Sequence, residues 1–236
     1  MSRLRGLHHG VKMKRPLGIL MLDTAFERPV GDVGNAQSWP FPVLYKRVKG
    51  ASARKVVSGQ DGDLLDAFIA AGEELVAEGA VALTTSCGFL ALRQTQLAER
   101  LPVPVATSSL LQIPSIAAML PKGRRVGVIT YDRASLTSRH FAEVGVHAVP
   151  PVAGLPKAGA FHGVIEGGEP YDAAALAEEL ARTVEDLLHH HGDIGALVFE
   201  CTNLPPFSSR IARQFGLPVF DSLTLGRWLY SSQPGI

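Results

Sequence analysis

The chain has two cysteines, and each closes an apolar run that reads as a buried strand. Cys87 follows Val81-Ala82-Leu83-Thr84-Thr85-Ser86 and precedes Gly88, while Cys201 follows Gly195-Ala196-Leu197-Val198-Phe199-Glu200 and precedes Thr202-Asn203. A thiol where a strand hands over to a helix lies on the carboxyl edge of a sheet, the place where open α/β sheets hold ligands. Unpaired helix N–H groups there favour thiolate and draw a thiol pKa from about 8.5 toward neutrality. Two such thiols facing each other across a cleft can act on one carbon without a cofactor. One thiolate removes a proton while the other, as a thiol, delivers one to the opposite face, and their titrations are coupled. Strand-end hydroxyls and helix N–H groups suit a substrate carboxylate and the charge of a carbanion-like transition state.

The elements that must position these thiols repeat. The same interval of 17 positions separates Cys87 from Pro104-Val105 and Cys201 from Pro218-Val219. Leu17-Gly18-Ile19-Leu20-Met21-Leu22-Asp23 matches Val126-Gly127-Val128-Ile129-Thr130-Tyr131-Asp132 at an offset of 109, against 114 for the cysteines. Two drifted copies of one unit, differing by a short insertion, give this pattern. The expected fold is therefore α/β: two pseudo-symmetric three-layer halves with mostly parallel sheets and the active site between them. Residues 1–16 read as a mobile leader, 17–121 as the first half (its C-terminal helix a candidate to cross over) and 122–236 as the second.

Within this frame the chain alternates strand and helix signals. After the strand at 17–22, a stretch rich in Pro and Gly, from Arg28 to Pro42, cannot be helix or central strand. Its Trp39 and Phe41 suggest a loop folded over the sheet edge near Cys87, with Asn35 the residue placed to reach a ligand. Turn-building is the alternative role for Asp32 and Asn35. A strand at 43–48, helices at 63–78 and 90–101, a strand at 103–106 and a helix to Leu120 complete the first half, and Pro121-Lys122-Gly123 forms the hinge. The second half reads as a strand at 125–130, a helix at 132–144, an irregular active-site loop at 149–168, a long helix at 172–191, the strand to Phe199, and helices from Pro206 and from Ser222 around a strand at 217–220. His189-His190-His191 suits a helix C-terminus better than a metal site, because adjacent residues point around a helix.

Composition narrows the functional classes. A net charge of +1 over 236 residues gives no reason to expect a nucleic-acid or membrane partner. The leader, basic at Arg3, Arg5, Lys12, Lys14 and Arg15, is followed by too short an apolar run for a signal peptide, and Met13 offers an alternative start. Two cysteines at matching positions indicate reduced thiols in a cytoplasmic protein. No phosphate-cradling loop, dinucleotide glycine pattern, Gly-x-Ser-x-Gly or Cys-x-x-Cys occurs. No cofactor and no metal are expected.

Asp23 at the end of the first strand, Thr84-Thr85-Ser86-Cys87-Gly88, and Cys201-Thr202-Asn203-Leu204-Pro205 together resemble the aspartate/glutamate/hydantoin racemase superfamily. The resemblance covers most of the chain from Leu17 onward. It implies Cys87 and Cys201 as the acid/base pair, with Asp23, Thr85, Ser86, Gly88, Thr202 and Asn203 around the substrate, and a homo-oligomeric enzyme independent of pyridoxal phosphate. Departures are Asn203, where glutamate racemases carry histidine, Asp23-Thr24-Ala25-Phe26 in place of Asp-Ser and a glycine run, and Glu200 beside Cys201. Glu200 raises the thiol pKa by like-charge repulsion or points to the opposite face. The function that follows is inversion of the carbon next to a carboxylate in a small amino acid or related compound. Decarboxylation of the arylmalonate type, isomerisation of the maleate type, and non-catalytic binding of a small carboxylate are the alternatives.

Overall fold

A computed structural model describes residues 14–234; the leader as far as Met13 lies outside them. The first half runs β1 (Leu17–Met21), β2 (Val43–Arg47), α1 (Ala53–Val57), α2 (Leu65–Ala77), β3 (Leu83–Thr85), α3 (Gln94–Arg100), β4 (Val105–Ala106) and α4 (Ile113–Met119). The second runs β5 (Arg125–Thr130), α5 (Ser138–Glu143), β6 (Val152–Gly154), α6 (Ala160–Ile165), α7 (Ala173–His190), β7 (Ile194–Phe199), α8 (Ser208–Phe215), β8 (Val219–Phe220) and α9 (Ser222–Ser231). Each half builds a four-stranded parallel sheet, ordered β2-β1-β3-β4 in one and β6-β5-β7-β8 in the other. The identical strand order is the structural counterpart of the sequence repeat.

The central strands are apolar on both faces because helices cover both sides of a parallel sheet. In β1, Leu17, Ile19 and Leu20 are fully buried. On α7, Leu176, Leu180, Val184 and Leu187 turn one stripe to the core, and the Asp172 carboxylate caps the helix by accepting from the N–H groups of Ala174 and Ala175. Among the described residues no helix is long and apolar enough to cross a membrane.

Three segments depart from the sequence reading. The stretch after Cys87 opens as a 3-10 turn, Gly88–Arg93, before α3 begins. The helix expected from Asp132 starts only at Ser138, because Asp132 holds a turn by accepting from Ala134 N–H and the Ser135 hydroxyl. Thr137 and His140 then form a capping box. The irregular segment at 149–168 contains β6 and α6; β6 is an edge strand, where the preceding prolines are tolerated.

Each half also lends its last helix to the other. Leu223, Leu225, Leu229 and Tyr230 of α9 pack with Leu17, Ile19, Val81 and Ala82 of the first sheet, and the Tyr230 hydroxyl donates to Arg15 O at 2.8 Å. In return α4 packs against β5. Leu225 is fully buried in this joint. Leu225→Ala is expected to cost about 2–5 kcal/mol in urea unfolding, as for other buried leucines left over a cavity; a loss below 1 kcal/mol would mean that α9 is not a structural part of the first layer.

Candidate active site

Cys87 and Cys201 stand at the carboxyl ends of β3 and β7 and line a single cavity between the halves. The two turns are stitched together. The Thr202 hydroxyl donates to Ser86 O at 2.6 Å, and the Ser109 hydroxyl donates to Phe199 O at 2.6 Å. Gly88 lies so close to Glu200 that a Cβ there would overlap the Glu200 carbonyl oxygen and Oε1. Both thiols are free.

The other walls come from both repeats. Leu22 and Tyr131, which correspond at the 109-residue offset, both line the cavity, with Phe26, Arg28, Phe89 and Glu200. Arg28 is the only cation among the described lining residues. It donates to Asp32 Oδ1 at 2.8 Å and to the Thr24 hydroxyl at 2.9 Å, and its guanidinium lies 4.4 Å from the centre of the Phe26 ring. Asp32 is buried and also accepts from Asn203 Nδ2 at 2.8 Å; the Cys201 thiol reaches Asn203 Oδ1 at 3.7 Å. The Pro/Gly-rich loop thus connects through Asp32 and Asn203 to the second thiol.

Ser86, Cys87, Gly88, Cys201, Thr202 and Asn203 meet at the cavity, whereas Asp23, Asn35 and Thr85 do not line it. Asp23 faces an outer depression, accepting from Gly50 N–H at 3.0 Å with Arg47 at 3.6 Å. Asn35 caps the 3-10 turn Ala36–Ser38 and donates to Arg28 O at 2.9 Å, which is turn-building work. The Thr85 hydroxyl is turned toward β4 and donates to Thr107 O at 2.6 Å. The residues that sequence reasoning left out are Arg28 and Tyr131. Tyr131 could have been found from the repeat, since it is the counterpart of Leu22. Arg28 begins the long loop but carries no local signal of its role. The histidine run at 189–191 ends α7 as read, His190 bonding Asp186 O, and among the described residues no cluster of metal-ligating side chains forms.

Electrostatics overturn one sequence expectation. Burial pushes the Cys87 thiol pKa up, the Glu200 carboxylate pushes it further, and the N–H groups of Phe89 and Leu90 pull back too weakly to win. Cys201 is likewise raised by burial and then by Glu200, against the N–H of Asn203. A short 3-10 turn offers little dipole, so desolvation decides. Burial also pushes the Glu200 carboxyl up to about 7, against hydrogen bonds from the Thr130 hydroxyl and Tyr131 N–H. Tyr131, raised by burial and by its bond to Glu166, donates to Glu166 Oε1 at 2.8 Å and stacks on His162 at 3.9 Å between ring centres.

The cavity is narrow in this conformation. Its inner space is about 30 Å³, whereas the outer depression, which shares Thr24, Ala53 and Ile165 with it, has about 340 Å³. One water needs roughly 10–15 Å³ by this measure, so a small carboxylate enters only when the walls part. Arg54 of α1 and Glu166 after α6 meet across the mouth at 3.3 Å.

Two parallel-sheet halves with a cavity between them are a fold that solved structures share. A mutant of arylmalonate decarboxylase in its sulfate-associated form superposes with a TM-score of 0.63 at 18% identity, over 93% of this chain and 97% of that one. A glutamate racemase isoform from Bacillus anthracis gives 0.59 at 18% identity, over 92% and 80%. No family model matches the chain. Sequence relatives are more specific. The chain is 32% identical over 215 residues to a dimethylsulfoniopropionate lyase of Durusdinium sp. clade D, covering 88% of this chain and 71% of that protein. It is 29% identical over 219 residues to dimethylsulfoniopropionate lyase 3 of Emiliania huxleyi (strain CCMP1516), of which it spans 57%. The chain belongs to the dimethylsulfoniopropionate lyase family of enzymes.

Proposed function

We propose that the chain is a cofactor-independent lyase in which a thiolate removes a proton from the carbon next to a carboxylate, and that its substrate is dimethylsulfoniopropionate. In balanced form, the thiolate takes the proton, the electron pair of the broken C–H bond becomes a new C=C bond, and the C–S bond of the neighbouring carbon breaks to release neutral dimethyl sulfide. The product is acrylate. The observation that carries this reading is the meeting of both thiols with one cation, Arg28, in one narrow cavity. A carboxylate held by Arg28 places its adjacent carbon near sulfur, and exclusion of water strengthens every charge interaction there. The names of the relatives favour elimination as the outcome of that proton removal.

Racemisation is the second reading, supported by the presence of a thiol at both strand ends: elimination needs one base, whereas inversion needs a base and an acid on opposite faces. Incubation in heavy water separates the two. Elimination yields dimethyl sulfide in the headspace and acrylate signals by proton NMR. Inversion yields loss of the α-hydrogen signal from a single-enantiomer amino acid without any volatile product. Neither outcome across both substrate classes would leave a binding protein.

Arg28 has three donors left after Asp32 and Thr24 are served. Arg28→Gln is expected to raise KM about 10–100-fold, since a charge-assisted hydrogen bond contributes about 1.5–3 kcal/mol, with a smaller change in kcat. An unchanged KM would place the substrate carboxylate elsewhere.

A further inference from the structure

Two hollows meet at the mouth of the site, and the partition between them is thin. Thr24, Ala53 and Ile165 line both the narrow cavity that holds the thiols and the outer depression of about 340 Å³. Ile165 is the last residue of α6, and Glu166 follows it. Glu166 is tied in two directions: Oε1 accepts from the Tyr131 hydroxyl at 2.8 Å, and Oε2 accepts from Arg54 Nε at 3.3 Å. Tyr131 is itself a wall of the inner cavity, whereas Arg54 belongs to α1 of the first half. The Arg54–Glu166 pair therefore fastens the end of α6, with Ile165 on it, to the opposite half. It is a weak fastening. The Arg54 side chain is 82% exposed, and an ion pair in water exchanges partners readily. Among the described residues the terminal nitrogens of Arg54 have no side-chain partner, and Arg54 lines the outer depression.

We propose that the outer depression is the entry site for a small carboxylate: Arg54 receives the anion there, Glu166 is displaced from Arg54, and Ile165 then leaves the passage to the thiols. The incoming carboxylate takes the place of a carboxylate, so the guanidinium is never without a counter-charge. Asp23, the other acidic residue of the depression, is held by Gly50 N–H and Arg47, which leaves Glu166 as the carboxylate on Arg54. Once inside, the anion meets Arg28, the cation of the inner cavity. Two arginines, one lining each hollow, thus divide capture from positioning. This rests on the reading of the substrate as a small carboxylate, which elimination and inversion share.

Two alkylating reagents of similar size test this without any substrate: iodoacetamide is neutral, and iodoacetate carries a carboxylate. Rates at Cys87 and Cys201 are read by peptide mass spectrometry. With iodoacetamide at low salt, Arg54→Gln and Glu166→Gln should each react about three- to fivefold faster than wild type, and the double variant no faster than either. Glu166→Gln keeps an oxygen for the Tyr131 hydroxyl and loses only the charge. Salt at about 0.5 M should speed up the wild type alone. A changed thiol ionisation would instead move the two single variants in opposite directions, since one loses a positive charge and the other a negative one. The iodoacetate rate divided by the iodoacetamide rate cancels thiol ionisation. That ratio should fall about fivefold in Arg54→Gln and hold or rise in Glu166→Gln. It should stay unchanged in Arg47→Gln, which removes a nearby charge that does not line the depression. Equal falls in Arg47→Gln and Arg54→Gln would mean a diffuse field and no entry site. Iodoacetamide rates that move in neither variant would mean that the pair holds nothing shut. Each of these results overturns the proposal, as do opposite iodoacetamide shifts in the single variants or a ratio that falls in Glu166→Gln. A wild-type protein that shows both signatures but neither elimination nor α-exchange would instead overturn the lyase and racemase readings and leave the entry site in place.

Discussion

Replacing Cys87 or Cys201 with alanine is expected to lower turnover by about 10²–10⁴-fold, the range that positioned acid–base groups contribute. The fold should survive, because each change removes a single sulfur atom from the edge of a cavity, a loss on the order of 1 kcal/mol. The two variants need not be equal, and their ratio is informative. Elimination requires one base, so the thiol that removes the proton should matter far more than its partner. Inversion requires both, so the two losses should match. Serine in place of cysteine should be nearly as damaging as alanine, since a hydroxyl cannot ionise where even a thiol is raised by burial. Headspace dimethyl sulfide and heavy-water exchange measure turnover, and circular dichroism reports the fold. If both alanine variants retained activity within about threefold, thiol chemistry would be excluded.

The second large effect is expected at Gly88→Ala. A Cβ at this position would overlap backbone and side-chain oxygens of Glu200, and a strand-end carbonyl cannot swing away as a long side chain can. Overpacking of this kind costs about 1–3 kcal/mol. The only relief is for the two turns to move apart, which separates the groups that must act together, and a misplacement of about 1 Å costs on the order of 10² in rate. Both a lowered Tm and a turnover loss of about 10²-fold are therefore expected. Gly192→Ala is the control. Its Cβ would meet open space and its backbone is not left-handed, so stability should stay within about 0.5 kcal/mol. Equal behaviour of the two variants would mean that the halves do not meet tightly at Gly88.

The architecture was legible because it is written locally and written twice. Apolar runs ending in Cys87 and Cys201 specify central parallel strands through burial on both faces, and the 109-residue correspondence between Leu17–Asp23 and Val126–Asp132 specifies a second copy of the same sheet. Helix α7 declared itself through its stripe of leucines and its Asp172 cap. Short segments were harder to read. β6 has only three residues beside two prolines, and the turn held by Asp132 delays α5, because local side-chain bonds compete with helix formation.

At the site, the chain's own pattern was enough to place Ser86, Cys87, Gly88, Cys201, Thr202 and Asn203 at strand ends, since a strand end is a local property. It could not show which side chains arrive from elsewhere. Arg28 reaches the cavity only because its loop folds back onto Asn203 through Asp32, while Asn35 in the same loop is turned away to cap a helix. The direction in which the thiols titrate was likewise decided by tertiary structure. Helix N–H groups adjacent in sequence favour thiolate, but desolvation depends on what packs around the sulfur, and at Cys87 the opposite half brings Glu200. Hydrophobic periodicity acts over a few residues and can be read along a chain; the dielectric around a sulfur atom is set by atoms more than a hundred positions away, and only the folded molecule brings them together.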